Sequence, residues 1–84
     1  MSYQINILRR AQKSLSKLPQ DEYERIKETI QSLATTPRPN GSRKLTGREG
    51  WRLRVGDYRV IYEIDDPQKT ITVLSIGHRR EIYR

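Results

Sequence analysis

Residues 51–64 read Trp51-Arg52-Leu53-Arg54-Val55-Gly56-Asp57-Tyr58-Arg59-Val60-Ile61-Tyr62-Glu63-Ile64. Apolar and charged side chains alternate through 51–55 and through most of 58–64, and only Gly56-Asp57 separates the two runs, which is the signature of a β-hairpin. Glycine at the first central position suits a type II′ turn, because it takes positive φ without steric strain. A two-residue turn fixes the register. Val55 then faces Tyr58, Leu53 faces Val60 and Trp51 faces Tyr62, so one side of the hairpin is apolar and packs on a core. The other side sets Arg54 against Arg59 and Arg52 against Ile61, with Glu63 beyond. Like charges directly opposite on a sheet are destabilising. Three arginines on one hairpin face, with Arg79-Arg80 following in the tail, therefore point to an anion-binding surface rather than to a merely solvated one.

The chain has 84 residues, which predicts one domain over 1–84 that buries about 60% of its unfolded surface and holds a single core. It contains no cysteine, so neither a disulfide framework nor a thiolate metal site is available to it. No stretch reads as a signal peptide or membrane span, and a cytoplasmic location is the expectation. Lys and Arg number 17 against 10 Asp and Glu, a net charge of +7, and twelve of the cations are Arg. The guanidinium fork binds phosphate bidentately and stacks on bases, so nucleic acid, or an acidic protein that imitates it, is the implied partner.

Outward from the hairpin, Tyr3, Ile5 and Ile7 alternate with polar residues and predict a short first strand. Leu8, Ala11, Leu15 and Leu18 then recur at helical spacing among Arg9, Arg10, Lys13 and Lys17, predicting a basic amphipathic helix that Pro19 ends. Asp21 and Glu22 open a second helix, where the macrodipole favours negative charge, and its apolar stripe is Tyr23, Ile26, Ile30, Leu33 and Ala34. The run Pro37-Arg38-Pro39-Asn40-Gly41-Ser42 is a loop, and Arg43 to Gly50 reads as an irregular approach to the hairpin. Asp65-Asp66-Pro67-Gln68 is a turn, and Thr70 to Ile76 is a β-branched strand with Ile71 and Val73 on one face and Leu74 and Ile76 on the other. The predicted fold is α+β: a small, curved, mainly antiparallel four-stranded sheet with an antiparallel pair of helices on one face, in the order strand, helix, helix, strand, strand, strand.

Three segments carry a family resemblance: Lys44-Leu45, the strand Tyr58-Arg59-Val60-Ile61-Tyr62 within 51–62, and the ending Gly77-His78-Arg79-Arg80-Glu81-Ile82-Tyr83-Arg84. With the order of elements, they resemble the RelE branch of the RelE/ParE toxin superfamily over essentially the whole chain. The resemblance implies a ribosome-dependent endoribonuclease that cuts messenger RNA, held silent by a RelB-like antitoxin. It implies no metal and no cofactor: the ribose 2′-hydroxyl attacks the adjacent phosphate, leaving a cyclic phosphate and a free 5′-hydroxyl. Carried over by position, the catalytic set is Arg52, Arg54, Arg59, Arg79 and Tyr83; His78 joins it on its own chemistry, and Lys44, Arg48, Arg80 and Arg84 are expected to contact the RNA. The better-known RelE members carry Lys where this chain has Arg52 and Arg54, so a base role for those lysines does not transfer. Some related branches have a carboxylate just before the Lys-Leu segment, where this chain has Gly41-Ser42-Arg43.

Fixed guanidinium donors stabilise the charge that builds on a phosphodiester during in-line attack, but arginine stays protonated and is no base. The base is therefore sought in His78, Tyr83, Glu63 or outside the protein. His78 is favoured because its ordinary pKa of ~6.5 suits proton transfer near neutrality. Tyr83 then stacks on a base or acts as the acid. Three other readings stand beside this one: a ParE-like gyrase inhibitor on the same fold, a non-catalytic RNA-binding module, and a degenerate toxin that only binds its antitoxin.

Overall fold

The computed structural model describes residues 2–78. Its elements are β1 (Gln4–Ile7), α1 (Arg9–Ser16), α2 (Gln20–Ser32), β2 (Arg43–Lys44), β3 (Trp51–Val55), β4 (Tyr58–Asp65) and β5 (Thr70–His78). They form an α+β domain with a mixed five-stranded sheet in the order β1-β5-β4-β3-β2. Both helices lie on one face, α1 along β5 and α2 reaching β3. The predicted four strands are thus corrected to five. The addition is β2, which pairs Arg43 with Arg52 and Lys44 with Trp51 at one edge. Two charged residues carry no alternation, and only pairing with β3 makes them a strand. The other edge strand, β1, runs parallel to β5.

Pro19 separates the helices as its sequence position predicts, although α1 ends at Ser16 and α2 at Ser32, short of the expected limits, and β5 continues past Ile76 to His78. Pro19 caps α2 in extended conformation (φ −56°, ψ 153°), and Asp21 and Glu22 occupy the first helical turn. The hairpin has the register read from its sequence, Trp51 opposite Tyr62, Leu53 opposite Val60, Arg54 opposite Arg59 and Val55 opposite Tyr58. Gly56 has φ +62°, and Asp57 is not among the residues at positive φ, the pattern of a type II′ turn.

The core joins the inward stripes of both helices, Ala11, Leu15, Ile26, Ile30 and Leu33, to Leu53, Val55, Val60, Tyr62, Ile71, Val73 and Ile76 from the sheet. One of these overturns an expectation, because Ile76 lies on the same face as Ile71 and Val73. On β4, Ile61 pairs with Ser75 and Tyr62 with Val73, so Leu74 is an extra residue, a β-bulge that shifts the phase of everything after it. Arg10 of α1 donates from Nε to the Leu74 carbonyl oxygen at 2.9 Å, giving the bulged carbonyl a partner.

At the far end of the sheet, a polar cluster ties the 37–42 loop to the β4–β5 turn. Asp66 accepts from Arg38 at 2.8 Å and from the Tyr3 hydroxyl. The Arg38 guanidinium also lies 5.4 Å from the Trp51 ring centroid, in cation–π range. Beneath the loop, the Tyr62 hydroxyl donates to the Pro37 carbonyl at 2.8 Å, and burial pushes the Tyr62 pKa up. Among the described residues, no helix is long and apolar enough to cross a membrane.

Candidate functional site

Side chains alternate across a strand, so the core register of the hairpin also fixes what faces away from the helices. One row on that outer face runs Arg43, Arg52, Ile61, Ser75 across β2, β3, β4 and β5. The row nearer the hairpin turn runs Arg54, Arg59, Gly77. Gly41, Arg43, Arg52, Arg54 and Arg59 line an open groove of about 490 Å³, with no carboxylate among its described lining residues.

Local structure holds these cations. The Arg54 Nε donates to the Gly56 carbonyl at 3.0 Å, so the hairpin turn that sets the register also orients the arginine beside it. Arg52 and Arg59 are half-buried, whereas Arg43 and Arg54 are exposed. Ile61 is buried to 6% exposure on this same face, an apolar floor between Arg52 and Ser75. Arg43 reaches the groove because the 37–42 loop delivers β2 to the edge of β3. That loop is fastened by Tyr62 to Pro37, by Arg38 to Asp66 and by Ser42 to the Pro39 carbonyl at 2.8 Å.

Of the residues singled out from the sequence, Arg52, Arg54 and Arg59 come together. His78 does not join them. It pairs with Tyr58 on the helix-facing side of the sheet, their ring centroids 5.6 Å apart at 80° in an edge-to-face contact. There it lines an open pocket with Ser14, Lys17 and Leu18, while Gly77 is the residue that faces Arg59. Lys44 is opposite Trp51 and so shares the parity of the core face, and Arg48 is exposed on the 45–50 loop outside the groove lining. Arg79, Arg80, Tyr83 and Arg84 lie outside the described residues. Arg43 is the groove residue that the sequence reading missed. Its only sequence signal was its place just after a Gly-Ser loop, and the parity that aims it toward Arg52 comes from edge pairing.

What this arrangement can do is bind and polarise a phosphodiester. Four guanidinium groups from three adjacent strands open into one groove, at positions where sheet stability alone would favour opposite charges. Residues 5–83 match the family model of the ParE toxin of type II toxin–antitoxin systems, and the chain belongs to that family. Within it the chain is RelE-like. It is 33% identical to toxin RelG of Mycobacterium tuberculosis over 88 aligned residues, covering 100% of this chain and 99% of that protein. The archaeal RelE–RelB complex of Pyrococcus horikoshii contains a chain of similar fold, with a TM-score of 0.81 and 32% identity over 96% of this chain and 99% of that one. The toxin–antitoxin complex RelBE2 of M. tuberculosis contains another, with a TM-score of 0.83 and 27% identity over 94% and 100%.

Proposed function

We propose that this toxin is a ribosome-dependent endoribonuclease that cleaves messenger RNA without a metal, and that a RelB-like antitoxin silences it in the cytoplasm. The observation that carries the reading is the groove of Arg43, Arg52, Arg54 and Arg59 on the open face of the sheet. In the reaction the ribose 2′-oxygen forms a bond to phosphorus while the bond to the 5′-oxygen breaks. The 2′-hydroxyl proton leaves to an acceptor, and the departing 5′-oxygen takes up a proton. Negative charge concentrates on the non-bridging phosphate oxygens, and guanidinium groups already held in place stabilise it without reorganising. Arg54, anchored to the turn carbonyl, and Arg59 opposite it are suited to that role; Arg52 and Arg43 are suited to holding the neighbouring phosphates. Arg79 and Tyr83 complete the set by their positions in the family motif, and Arg80 and Arg84 supply weaker contacts with the RNA backbone, whereas Lys44 and Arg48, which lie outside the groove lining, are left out of it.

The antitoxin assignment rests on RelE-like chains of similar fold occurring in complexes with RelB. A cationic sheet also favours fast, salt-sensitive association with an acidic segment. The test is cleavage of a defined message on programmed ribosomes, reading the chemistry of the new 3′ end. A cyclic phosphate with a free 5′-hydroxyl on the downstream fragment is the expected result. The family model is named for ParE, so the same preparation is tested against DNA gyrase; inhibition of gyrase with no RNA cleavage would replace this reading with the ParE one.

A further inference from the structure

The outer face of β4 changes sign along its length. By strand parity it presents Arg59, Ile61, Glu63 and Asp65 in succession, opposite Gly77, Ser75, Thr72 and Thr70 of β5. Two rows rich in arginine are therefore followed by two acidic rows. Glu49, Glu63, Asp65 and Asp66 line an open pocket of about 580 Å³ at this end, in a chain whose net charge is +7. Two of these carboxylates have structural duties. Asp65 accepts from the Gln68 backbone N–H at 3.1 Å within the turn, and Asp66 holds Arg38 and Tyr3. Glu49 and Glu63 are exposed and make no hydrogen bond or ion pair among the described residues.

We propose that Glu49 and Glu63 bound the RNA path: they keep a single strand over the arginine rows, crossing the sheet from the β2 edge toward β5, and prevent it from running along β4. The proposal rests on the reading of the groove as the RNA site. Distances support it. Glu63 lies two residues beyond Ile61, about 7 Å along the strand, and four residues beyond Arg59, about 13 Å. The Debye length is ~8 Å at physiological salt. A phosphate placed one row past Arg52 stands in the Glu63 row itself, well inside one Debye length of that charge, whereas one beside Arg59 lies beyond it. The carboxylate limits where the strand goes, at a cost to binding that falls from the Arg52 row to the Arg59 row.

The test is binding of labelled single-stranded RNA, a trinucleotide and a decanucleotide, across a salt series, without ribosomes. Arg52→Ala is the control for the underlying site and weakens both oligonucleotides. If it weakens neither, the groove is not the RNA site and the functional reading fails with the inference. With that control in place, the double variant Glu49→Lys, Glu63→Lys opens the acidic end. For the decanucleotide its log–log salt slope steepens by about 0.7–1.4, one or two additional phosphates at ~0.7 each, while the trinucleotide slope is unchanged. Thermal unfolding verifies that both substitutions, at exposed positions, leave the fold intact. Unchanged slopes for both oligonucleotides would overturn the inference. So would equal steepening for both, because that describes a general rise in positive potential and no boundary.

Discussion

Replacing Arg54 by alanine separates function from stability, because the structure gives its side chain one bond to lose and one repulsion to relieve. The lost bond is the Nε donation to the Gly56 carbonyl at 3.0 Å, made at an exposed position. A hydrogen bond of this kind contributes about 0.5–1.5 kcal/mol net. The relieved repulsion is the one with Arg59 directly across the hairpin; taken to be of the same size as a favourable cross-strand pair, it is worth about 0.2–1 kcal/mol. The two nearly cancel, so the net change stays within about 1 kcal/mol and the midpoint of thermal unfolding moves by at most about 4–8 °C for a domain of this size. Cleavage behaves differently. Loss of one preorganised donor to the transition-state phosphate lowers the rate by about 10²–10³. Arg54→Lys keeps the charge but loses both the planar fork and the Nε anchor, so it regains RNA affinity while the rate stays low. The assay pairs thermal unfolding with single-turnover cleavage on programmed ribosomes at saturating toxin. Two results would refute the reasoning: a fall in midpoint beyond about 10 °C, which would make Arg54 structural, or an Arg54→Ala rate within about threefold of the parent, which would remove it from the chemistry.

Three further outcomes follow from the geometry. His78→Gln retains nearly the full single-turnover rate and the same pH profile, since its ring packs on Tyr58 across the sheet from the groove; loss of a rate inflection near pH ~6.5 would restore His78 as the base. Tyr62→Phe removes the hydroxyl that anchors Pro37 and lowers stability by about 1 kcal/mol in chemical denaturation. It also reduces cleavage, because the loosened loop no longer holds Arg43 at the groove; an unchanged rate would show that Arg43 is held by β3 pairing alone. Asp66 has its pKa lowered, first by the Arg38 hydrogen bond and next by that from Tyr3. Its bonds therefore stabilise the fold above the ordinary carboxylate range near ~3.9 and cease to do so as pH falls through the depressed folded value. Denaturation midpoints measured from pH 7 downward show that acid-side loss in the parent and a smaller one in Asp66→Asn; identical curves would mean that the cluster does not couple to folding.

The hairpin was legible because everything that sets it is local. Gly56-Asp57 fixes the turn, the turn fixes the register, and the register puts Arg52, Arg54 and Arg59 on one face without reference to any other part of the chain. The helices were legible for the same reason, through Pro19, the acids of the first turn and the spacing of Ile26, Ile30 and Leu33. Edge pairing was not legible. Nothing in Arg43-Lys44 alternates, so neither the existence of β2 nor the choice of Arg43 over Lys44 as the groove residue is decided until the strand meets β3. The parallel placement of β1 beside β5 is likewise a non-local choice that alternation in Tyr3, Ile5 and Ile7 does not contain.

The position of His78 shows how one residue decides such a reading. With strict alternation along β5, His78 shares a face with Thr72, and Thr72 lies opposite Glu63 on the outer face. A histidine there would stand beside Arg59, the place from which a base would serve the reaction. The extra residue at Leu74 reverses that parity. Ile76 turns inward to complete the core, His78 turns inward after it, and Gly77, which has no side chain to fill the space, is left facing Arg59. No residue type in Val73-Leu74-Ser75 marks the bulge. What holds it is the bond from Arg10 on α1, 64 residues away in sequence. The shift also has an energetic reason, because burial of Ile76 to 4% exposure removes an apolar side chain from water. Full burial of such a side chain is worth about 1.5–3 kcal/mol, more than the one ladder position that a bulge disrupts. Packing thus determines which face receives the histidine and leaves the groove to the arginines, and the pH profile of His78→Gln decides whether the proton passes to His78 or to another group.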